Sequence, residues 1–397
     1  MYHQPEFEPV REEMYDILKK QIHPLDEIEY VNIYEADRRF LAKDIKTAYS
    51  LPNLPASDFD GIAVRYEDFK NGMPDTSQWT EENEFVYSNT GVSIPEQYDT
   101  VIAIEDVKSL ENGGIKLNAI PGKRGEHVAP AGSQLRAGEI LGKQGDRIHP
   151  SQIGILVSAG YQSVPVYRKP RVVFIPTGDE LVPSGGEVPP GLNVESNGAM
   201  VSAYVRRFGG EPSVMSIQRD DQQALKNSIL STVEYADLVI IGAGSSKGSK
   251  DFTMDVLETI GDVIVQEIGV APGKHCSLTM VNETPVIGIP GPPGGAQLIS
   301  QYYVKAAIEL LTTGTIHPIP RVPAILDKPL RKMPIDFMQP VQLSMHKDGF
   351  HAVPVAGFGN TRAESQYRQY ALMYCQRGTA PQQGDFIQVE LPIAEVF

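Results

Sequence analysis

Four short loops, some rich in glycine and some in acidic residues, could together bind a phosphorylated ligand. They read T-G-D-E (177–180), R-D-D (219–221), G-A-G-S-S-K-G (242–248) and G-I-P-G-P-P-G-G (288–295). Backbone N–H groups of glycine-rich loops approach anions closely, and a following helix N-terminus adds its positive dipole end. Nearby Asp and Glu carboxylates are suitable ligands for Mg²⁺, which bridges phosphate oxygens. The loops therefore predict a phosphorylated ligand together with a divalent cation.

Simpler interpretations exist for each loop taken alone. The loop 242–248 has the spacing G-x-G-x-x-x-G, which differs from a dinucleotide fingerprint, and 269–274 (GVAPGK) is one residue short of a P-loop. Ser245 and Ser246 lack the G-x-S-x-G surroundings of a nucleophile elbow. The acids of T-G-D-E and of Asp220-Asp221 are by default turn and helix-cap residues. Only their combination indicates a site.

Apolar strands that alternate with amphipathic helices position these loops. The pattern predicts strands at VVFIP, VMSIQ, DLVIIG, VIVQEIG and PVIGIP between residues 171 and 290. It predicts helices at SNGAMVSAYVRRFG, DQQALKNSILSTVEYA, DFTMDVLETIG and GAQLISQYYVKAAIELL. Such alternation is typical of an α/β fold with a parallel, doubly wound sheet, whose ligands bind at the carboxyl ends of the strands.

The flanking regions have a different character. Helices are predicted over 8–22 and 35–45, and a helix followed by a strand over 151–168. Short β-like runs separated by Gly, Pro and Asn fill 60–135 and return in 320–397, which indicates two small β domains. We expect a multidomain chain with these parts: a discontinuous N-terminal helical and β domain (1–50 with 136–168), an inserted β domain (51–135), an α/β domain (169–315) and a C-terminal β domain (316–397).

Composition excludes several classes of protein. The 397 residues carry a net charge of -15, and such a surface repels nucleic acid. The sequence contains no run of about 18 apolar residues, so no membrane-spanning helix is predicted. Two cysteines, Cys276 and Cys375, are too few for a disulfide framework, which favours a cytoplasmic location. Zinc-type His and Cys spacings are absent from the sequence.

The order of several motifs resembles the MoeA/gephyrin family, the molybdopterin molybdenumtransferases. E-A-D-R-R-F-L-A-K-D-I (35–45), S-D-F-D-G-I-A-V (57–64) and T-G-V-S-I-P-E-Q-Y-D-T-V (90–101) are similar to family motifs in the N-terminal part. The segment 154–181, which ends in T-G-D-E-L, is similar to the family's "LLASLGIAEVPVYRRPRVAILSTGDEL". V-E-S-N (194–197), Asp220-Asp221, D-F-T (251–253), P-G-K (272–274) and G-I-P-G (288–291) follow in the family's order.

The resemblance implies a fold, an activity and partners. It implies a homodimer with a molybdopterin-binding α/β domain. The implied reaction, part of molybdenum cofactor biosynthesis, inserts molybdate into adenylylated molybdopterin with Mg²⁺ and releases AMP. The pterin nucleotide is the small-molecule partner, and neither nucleic acid nor a membrane is expected to bind.

Carried over position by position, the resemblance also implies roles for individual residues. The predicted catalytic residues are Asp60, Glu180, Asp220 and Asp251. The predicted Mg²⁺ ligands are Asp60, Glu180, Asp220, Asp221 and Asp251. The predicted ligand-binding residues are Thr90, Glu195, Asn197, Gly242, Gly244, Ser245, Lys274, Pro290 and Gly291.

Five departures from the family pattern predict a divergent member. Gln134 replaces an acid, Lys247 is added to the loop 242–248, and A-P-G-K-H (271–275) loses one lysine of "KPGKP". P-G-P-P (290–293) lacks the asparagine of "PGNP", and 359–365 reads G-N-T-R-A-E-S in place of a serine-rich region. Two other functions therefore remain open: a non-catalytic pterin- or nucleotide-binding paralogue, and a nucleotide hydrolase of the CinA type.

Overall fold

The protein divides into two compact units in a computed structural model. The first contains residues 1–27 and 167–397, and the second contains 28–166. The structure describes residues 8–242, 249–355 and 370–391, the first three residues of 249–355 by backbone alone. Within these ranges no helix is both long and apolar enough to cross a membrane.

Seven α-helices are present in the described ranges. They are α1 (Arg11–Gln21), α2 (Pro150–Ser158), α3 (Asn197–Arg207), α4 (Gln222–Val233), α5 (Ser249–Ile260), α6 (Pro293–Ile299) and α7 (Lys305–Thr313). A π-helical turn, Ser300–Val304, joins α6 to α7, so that one continuous helix runs from Pro293 to Thr313.

The second unit is built from short strands. They are β1 (Ile28–Asn32), β2 (Ile45–Lys46), β3 (Ala56–Ser57), β4 (Gly61–Val64), β5 (Phe85–Ser88), β6 (Thr100–Ala103), β7 (Val107–Ser109), β8 (Ile115–Leu117), β9 (Val128–Ala129), β10 (Ile140–Gly142) and β11 (Ser163–Tyr167). One apolar cluster gathers residues around Leu41 and Leu156, and two others gather residues around Ile62 and Ala63. The unit therefore has separate small cores.

The predicted helix over 35–45 is wrong. A 3₁₀ helix covers Ile33–Glu35, and Arg38 follows with a positive φ of 62°. Phe40 and Leu41 then form isolated bridges to Arg147 and Val166 and are buried. The extended backbone allows these two adjacent apolar side chains to be buried, so tertiary packing overrides the helical propensity of the segment.

The first unit contains the large α/β sheet and a β domain. The strands between residues 171 and 289 are β12 (Arg171–Pro176), β13 (Leu181–Val182), β14 (Asn193–Val194), β15 (Glu211–Val214), β16 (Leu238–Gly242), β17 (Asp262–Val265), β18 (Val270–Ala271), β19 (Ser277–Val281) and β20 (Thr284–Ile289), of which β18 belongs to the C-terminal sheet. The sheet order is β15-β12-β16-β20-β19-β17.

The sheet is parallel only in part. β15, β12, β16 and β20 pair in parallel, whereas β19 is antiparallel to both β20 and β17. The expectation of an entirely parallel sheet is therefore wrong at this edge. The sequence analysis did not predict β19, because S-L-T-M-V is joined to β20 by a tight turn at Asn282 and Glu283, both with positive φ. No helix separates the two strands, so no α/β alternation signals the hairpin.

Helices cover both faces of the sheet, which confirms the doubly wound α/β class. Val172 and Phe174 belong to a core shared with α1, α3, α6 and α7. Val173 and Ile175 belong to the opposite core, shared with α4 and α5. Alternate residues of one strand thus supply the two faces, as strand geometry requires.

The C-terminal strands form a closed sheet. They are β21 (Arg321–Leu326), β22 (Asp336–His346), β23 (Gly349–Pro354), β24 (Ala371–Cys375) and β25 (Phe386–Glu390). The order β18-β22-β23-β21-β25-β24 is closed by an additional pairing of β22 with β24. Helix α1 is tied to this sheet through a buried ion pair, in which Arg11 Nη1 lies 2.6 Å from Glu390 Oε1.

Candidate active site

A cavity of about 320 Å³ lies at the carboxyl ends of β12, β16 and β20. Pro176 and Gly242 end two of these strands, and Gly291 follows the third. The lining includes the following predicted site residues: Glu180, Glu195, Asn197, Gly242 and Gly291. The structure therefore brings together five residues that the sequence analysis singled out, at the edge where a doubly wound sheet binds ligands.

Glu180 reaches the cavity from a turn that only glycine allows. Gly178 has φ +136°, and a Cβ added to it would lie 2.6 Å from Glu180 Oε2. The Gly178 amide also donates to the Gln218 carbonyl, which fixes the turn against the loop after β15. The Glu180 carboxylate thus occupies the space that a side chain at position 178 would need.

A second carboxylate is destabilised beside this turn. Burial raises the pKa of Asp220, and the neighbouring carboxylates of Asp179 and Glu180 raise it further. Arg219 opposes them and donates a hydrogen bond of 2.9 Å to the Asp179 carbonyl. Mutual repulsion among carboxylates is relieved by a bound cation or by a proton, so these three side chains form an acidic cluster suited to a positive charge.

Asn197 presents an unused acceptor beside the cavity. Its Nδ2 donates to the Gly291 carbonyl at 2.9 Å, and its buried Oδ1 has no hydrogen-bond partner among the described residues. Asn197 is 8% exposed, and a buried amide oxygen without a donor costs free energy. Residues at the start of α3 and α6 also line the cavity. The Gly198 amide of α3 already donates to Glu195 Oε1 at 2.9 Å, and Pro292 and Pro293 at the start of α6 have no N–H, so the helix dipoles favour an anion more than free amide groups do.

Asp60 and Thr90 form a separate polar pair in the second unit. The Thr90 amide donates to Asp60 Oδ1 at 2.7 Å, and the Thr90 hydroxyl donates to the same oxygen at 3.0 Å. The backbone hydrogen bond, and then the hydroxyl hydrogen bond, lower the pKa of Asp60. Asp60 is thus held ionised on the loop before β4.

Two predicted site residues are engaged elsewhere. Asp221 caps α4 by accepting a hydrogen bond from the Ala224 amide at 2.9 Å, which is the simpler interpretation of that residue. Lys274 Nζ lies 3.0 Å from Glu8 Oε1 and 3.6 Å from Glu267 Oε2, so carboxylates compensate its charge.

Pro290 precedes Gly291 beside the cavity. Gly244, Ser245 and the side chain of Asp251 lie outside the described residues.

No three His, Cys, Asp or Glu side chains are arranged as a metal-ligand set in the part of the chain that the structure describes. This does not conflict with Mg²⁺, which commonly takes one or two protein carboxylates and completes its shell with water and substrate phosphates. The acidic cluster of Asp179, Glu180 and Asp220 fits that pattern, because its oxygen donors repel one another.

Several residues of the site were missed by sequence reasoning. Asp179 and Arg219 lie within the loops that were singled out, yet received no role. Phe174 and Asn193 line the cavity, and a Cβ on Gly242 would lie 2.6 Å from the Phe174 ring. Asp179 and Arg219 could have been identified from their positions within the T-G-D-E and R-D-D loops. Phe174 is indistinguishable in sequence from an ordinary core residue.

We predict that Gly178→Ala destabilises the protein more than Gly185→Ala. Gly185 also has a positive φ, 93°, but nothing lies within 4 Å of an added Cβ. Backbone strain should cost about 1 kcal/mol at Gly185 and about 2–3 kcal/mol at Gly178, whose φ lies further from the left-handed helical region; moving the flexible end of Glu180 adds little. Chemical denaturation midpoints measure the difference. Equal midpoints for the two variants would show that the backbone at Gly178 imposes no greater strain than that at Gly185.

The cavity and the sheet define a class of protein, namely doubly wound α/β proteins, which place their ligands at the carboxyl edge of the strands. Comparison with known proteins is more specific. The family profile "MoeA N-terminal region (domain I and II)" matches residues 9–160, and "Probable molybdopterin binding domain" matches residues 173–309.

Individual relatives agree with these profiles. A molybdopterin molybdenumtransferase of Haemophilus influenzae is 30% identical over 295 residues, covering 71% of this chain and 72% of the relative. That of Bacillus subtilis is 28% identical over 347 residues, covering 81% and 79%. A crystal structure of a molybdopterin biosynthesis MoeA protein from Pyrococcus horikoshii has a TM-score of 0.78 at 28% identity, covering 97% of this chain and 99% of that chain. The chain belongs to the MoeA family of molybdopterin molybdenumtransferases.

Proposed function

We propose that this protein inserts molybdate into adenylylated molybdopterin and releases AMP, as a step of molybdenum cofactor biosynthesis. Family membership supports the reaction. The observation that carries it in this chain is the cavity itself, which is lined by Asn197 with its unpartnered Oδ1, by the first residues of α3 and α6, and by Glu180 of the acidic cluster. A hydrogen-bond donor on the ligand would satisfy Asn197, and its phosphates would approach the backbone amides.

We propose Glu180 and Asp220 as the residues of the first unit that hold Mg²⁺ or orient the attacking water, with Asp60 and Asp251 as further candidates. Bound Mg²⁺ would neutralise phosphate oxygens during cleavage of the phosphoanhydride. The raised pKa of Asp220, caused by burial and by the carboxylates of Asp179 and Glu180, supports this assignment. Asp220 would gain most from a cation, because its ionised form is the one under repulsion.

The reaction is tested with the purified chain, adenylylated molybdopterin, molybdate and Mg²⁺, while AMP is quantified by chromatography. AMP release that depends on both molybdate and Mg²⁺ would support the proposal. Tight binding of the pterin nucleotide without AMP release would instead support the non-catalytic alternative. The ion pairs of Lys274 with Glu8 and Glu267 favour that alternative, because they compensate a cation expected to contact an oxyanion.

We predict that Asn197→Ala weakens binding of adenylylated molybdopterin by about 10- to 100-fold, as expected when one well-made buried hydrogen bond is lost. Asn227→Ala is the matched control, because Asn227 lies on α4 and accepts a hydrogen bond only from the exposed Gln223 among the described contacts. Calorimetric titration measures both. Equal weakening in the two variants would show that Asn197 makes no specific contact.

We further propose a homodimer and a cytoplasmic location. The dimer rests on family resemblance and predicts an isologous interface of about 2,000 Å² or more. Sedimentation equilibrium at micromolar concentration should give twice the mass of 43.6 kDa, and a monomeric mass would refute the prediction. Cys276 and Cys375 are buried free thiols, which supports the cytoplasm.

A further inference from the structure

A histidine and aspartate cluster occupies the hairpin of β22 and β23, and nothing in the proposed function uses it. It consists of His346, Asp348 and His351, with Asp327 at the end of β21. His351 Nδ1 lies 2.7 Å from Asp327 Oδ1, and His351 Nε2 lies 3.1 Å from Asp348 Oδ1. The rings of His346 and His351 have centroids 4.3 Å apart.

The strand register explains why these side chains meet. Ser344 is the cross-strand partner of His351, and His346 is the partner of Gly349. Residues two apart on one strand, and partners across strands, share a face of the sheet. His346 and His351 therefore lie diagonally on one face, and β21, which pairs with β23, supplies Asp327 from the other side.

We propose that this hairpin is a binding site for a divalent transition metal such as Zn²⁺, with His351, Asp348 and His346 as ligands and Asp327 as the orienting residue. Imidazole nitrogens with a carboxylate suit Zn²⁺, Ni²⁺ and Cu²⁺ rather than Mg²⁺. The site is independent of the reaction proposed above.

Asp327 gives His351 the orientation of a metal ligand. A carboxylate that accepts the Nδ1–H of histidine fixes the ring orientation, so that Nε2 can bind a metal once it has lost its own proton, the arrangement found behind most metal-bound histidines. The side chain of His351 is 16% exposed, so the ring is restrained by its surroundings. The metal-binding nitrogen thus points at Asp348.

The separation of His351 Nε2 and Asp348 Oδ1 is that of an ordinary N–H···O hydrogen bond, whose proton Zn²⁺ would replace. With Nδ1–H given to Asp327, a lone pair on Nε2 would face a carboxylate oxygen at 3.1 Å. A proton or a metal ion removes this repulsion. Ligand atoms about 2.0–2.1 Å from a tetrahedral Zn²⁺ lie about 3.3 Å from each other, close to the separation observed here.

His346 supplies the third ligand after a rotation of its side chain. Its Nε2 now lies 3.0 Å from Ser344 Oγ, an exposed contact that water can replace. As the side chains stand, no three such groups in residues 8–242, 249–355 and 370–391 form a complete ligand set. Binding therefore requires His346 to leave Ser344, and water completes the coordination.

Titration of the full-length chain with ZnCl₂ alone, at pH 7 in two buffers of different ionisation enthalpy, tests the proposal. We expect one hairpin site and proton release on binding, because Zn²⁺ displaces the proton from Nε2. His351→Ala should abolish this site, and Asp327→Asn should weaken it by about 10- to 100-fold without removing a ligand. His346→Ala should weaken it also.

His23→Ala is the control, because His23 is exposed and lies far from the hairpin in sequence. Thermal unfolding of each variant in the absence of zinc checks that the hairpin still folds. The proposal is overturned if wild type and His351→Ala give the same zinc isotherm, or if Asp327→Asn and His23→Ala behave alike. Zinc held only by the acidic cluster would produce the first of these results.

Discussion

Asp220→Asn is expected to slow AMP release by about 100-fold or more without lowering the stability of the protein. The loss follows from removing a charged Mg²⁺ ligand or water-orienting group, which is worth a few kcal/mol in the transition state. Glu180→Gln should have a similar effect, since Glu180 lines the cavity and its carboxylate acts on that of Asp220. Steady-state rates and denaturation midpoints are measured on the same preparations.

The stability expectation follows from the sign of the Asp220 pKa shift. The folded pKa is raised, chiefly by burial, so between the ordinary and the raised value the folded state binds more protons than the unfolded state. Stability therefore falls as pH rises through this window, but only slightly, because Asp220 is exposed and solvent screens its charge. The asparagine variant should show an equal or higher midpoint at pH 7, and this advantage should disappear below the window.

Asp221→Asn is the matched control for the activity loss. The neighbouring residue undergoes the same chemical change, and asparagine caps a helix as well as aspartate does. We expect near-wild-type AMP release and stability. If Asp221→Asn were as impaired as Asp220→Asn, both residues would share the metal role. The assignment of Asp221 as only a helix cap would then be wrong.

Arg11→Ala is expected to destabilise the first unit by about 3 kcal/mol, because it leaves Glu390 buried with one cation fewer. Glu390 also contacts Arg321 Nη2 at 2.9 Å and accepts a hydrogen bond from the Tyr302 hydroxyl. Arg11 lies over the Tyr374 ring as well, at 4.4 Å from its centroid. Chemical denaturation followed by far-ultraviolet circular dichroism measures the loss.

Lys19→Ala provides the comparison for Arg11→Ala. Lys19 lies on the same helix and pairs with Asp16 at 3.1 Å, but both side chains are more than half exposed. Exposed pairs contribute little, so the expected change is below about 0.5 kcal/mol. Similar losses in both variants would mean that helix propensity, and not the buried pair, explains the effect of Arg11→Ala.

Local pattern predicted the α/β part of the fold well, and it failed where contacts distant in sequence decide. Strand alternation placed β12, β16 and β20 because each is a continuous apolar run buried on both faces. The helix predicted over 35–45 is wrong because Leu41 is buried against Val166, a residue far along the chain. The edge strand β19 was not predicted, because it is joined to β20 by a hairpin and no helix between the two strands marks the boundary.

The site was predictable in its loops and less so in its individual side chains. Strand ends located the cavity, and motif order selected Glu180, Asn197 and Gly242. Motif order could not show that Asp221 is used as a cap or that carboxylates pair with Lys274. Those assignments depend on side-chain direction, which spacing along the chain does not determine. The individual catalytic, metal and binding roles stay predictions.

The ion pair of Arg11 with Glu390 has a consequence for synthesis on the ribosome. The two residues are separated by 379 positions. At elongation rates of 5–20 residues per second, helix α1 waits roughly 20–75 s for its partner to be made. The second unit, residues 28–166, is complete long before then, and its flanking residues Glu27 and Arg168 hydrogen-bond each other. Helix α1 is thus made before the second unit but reaches this native contact after it, and the buried arginine remains hydrated until β25 has been translated.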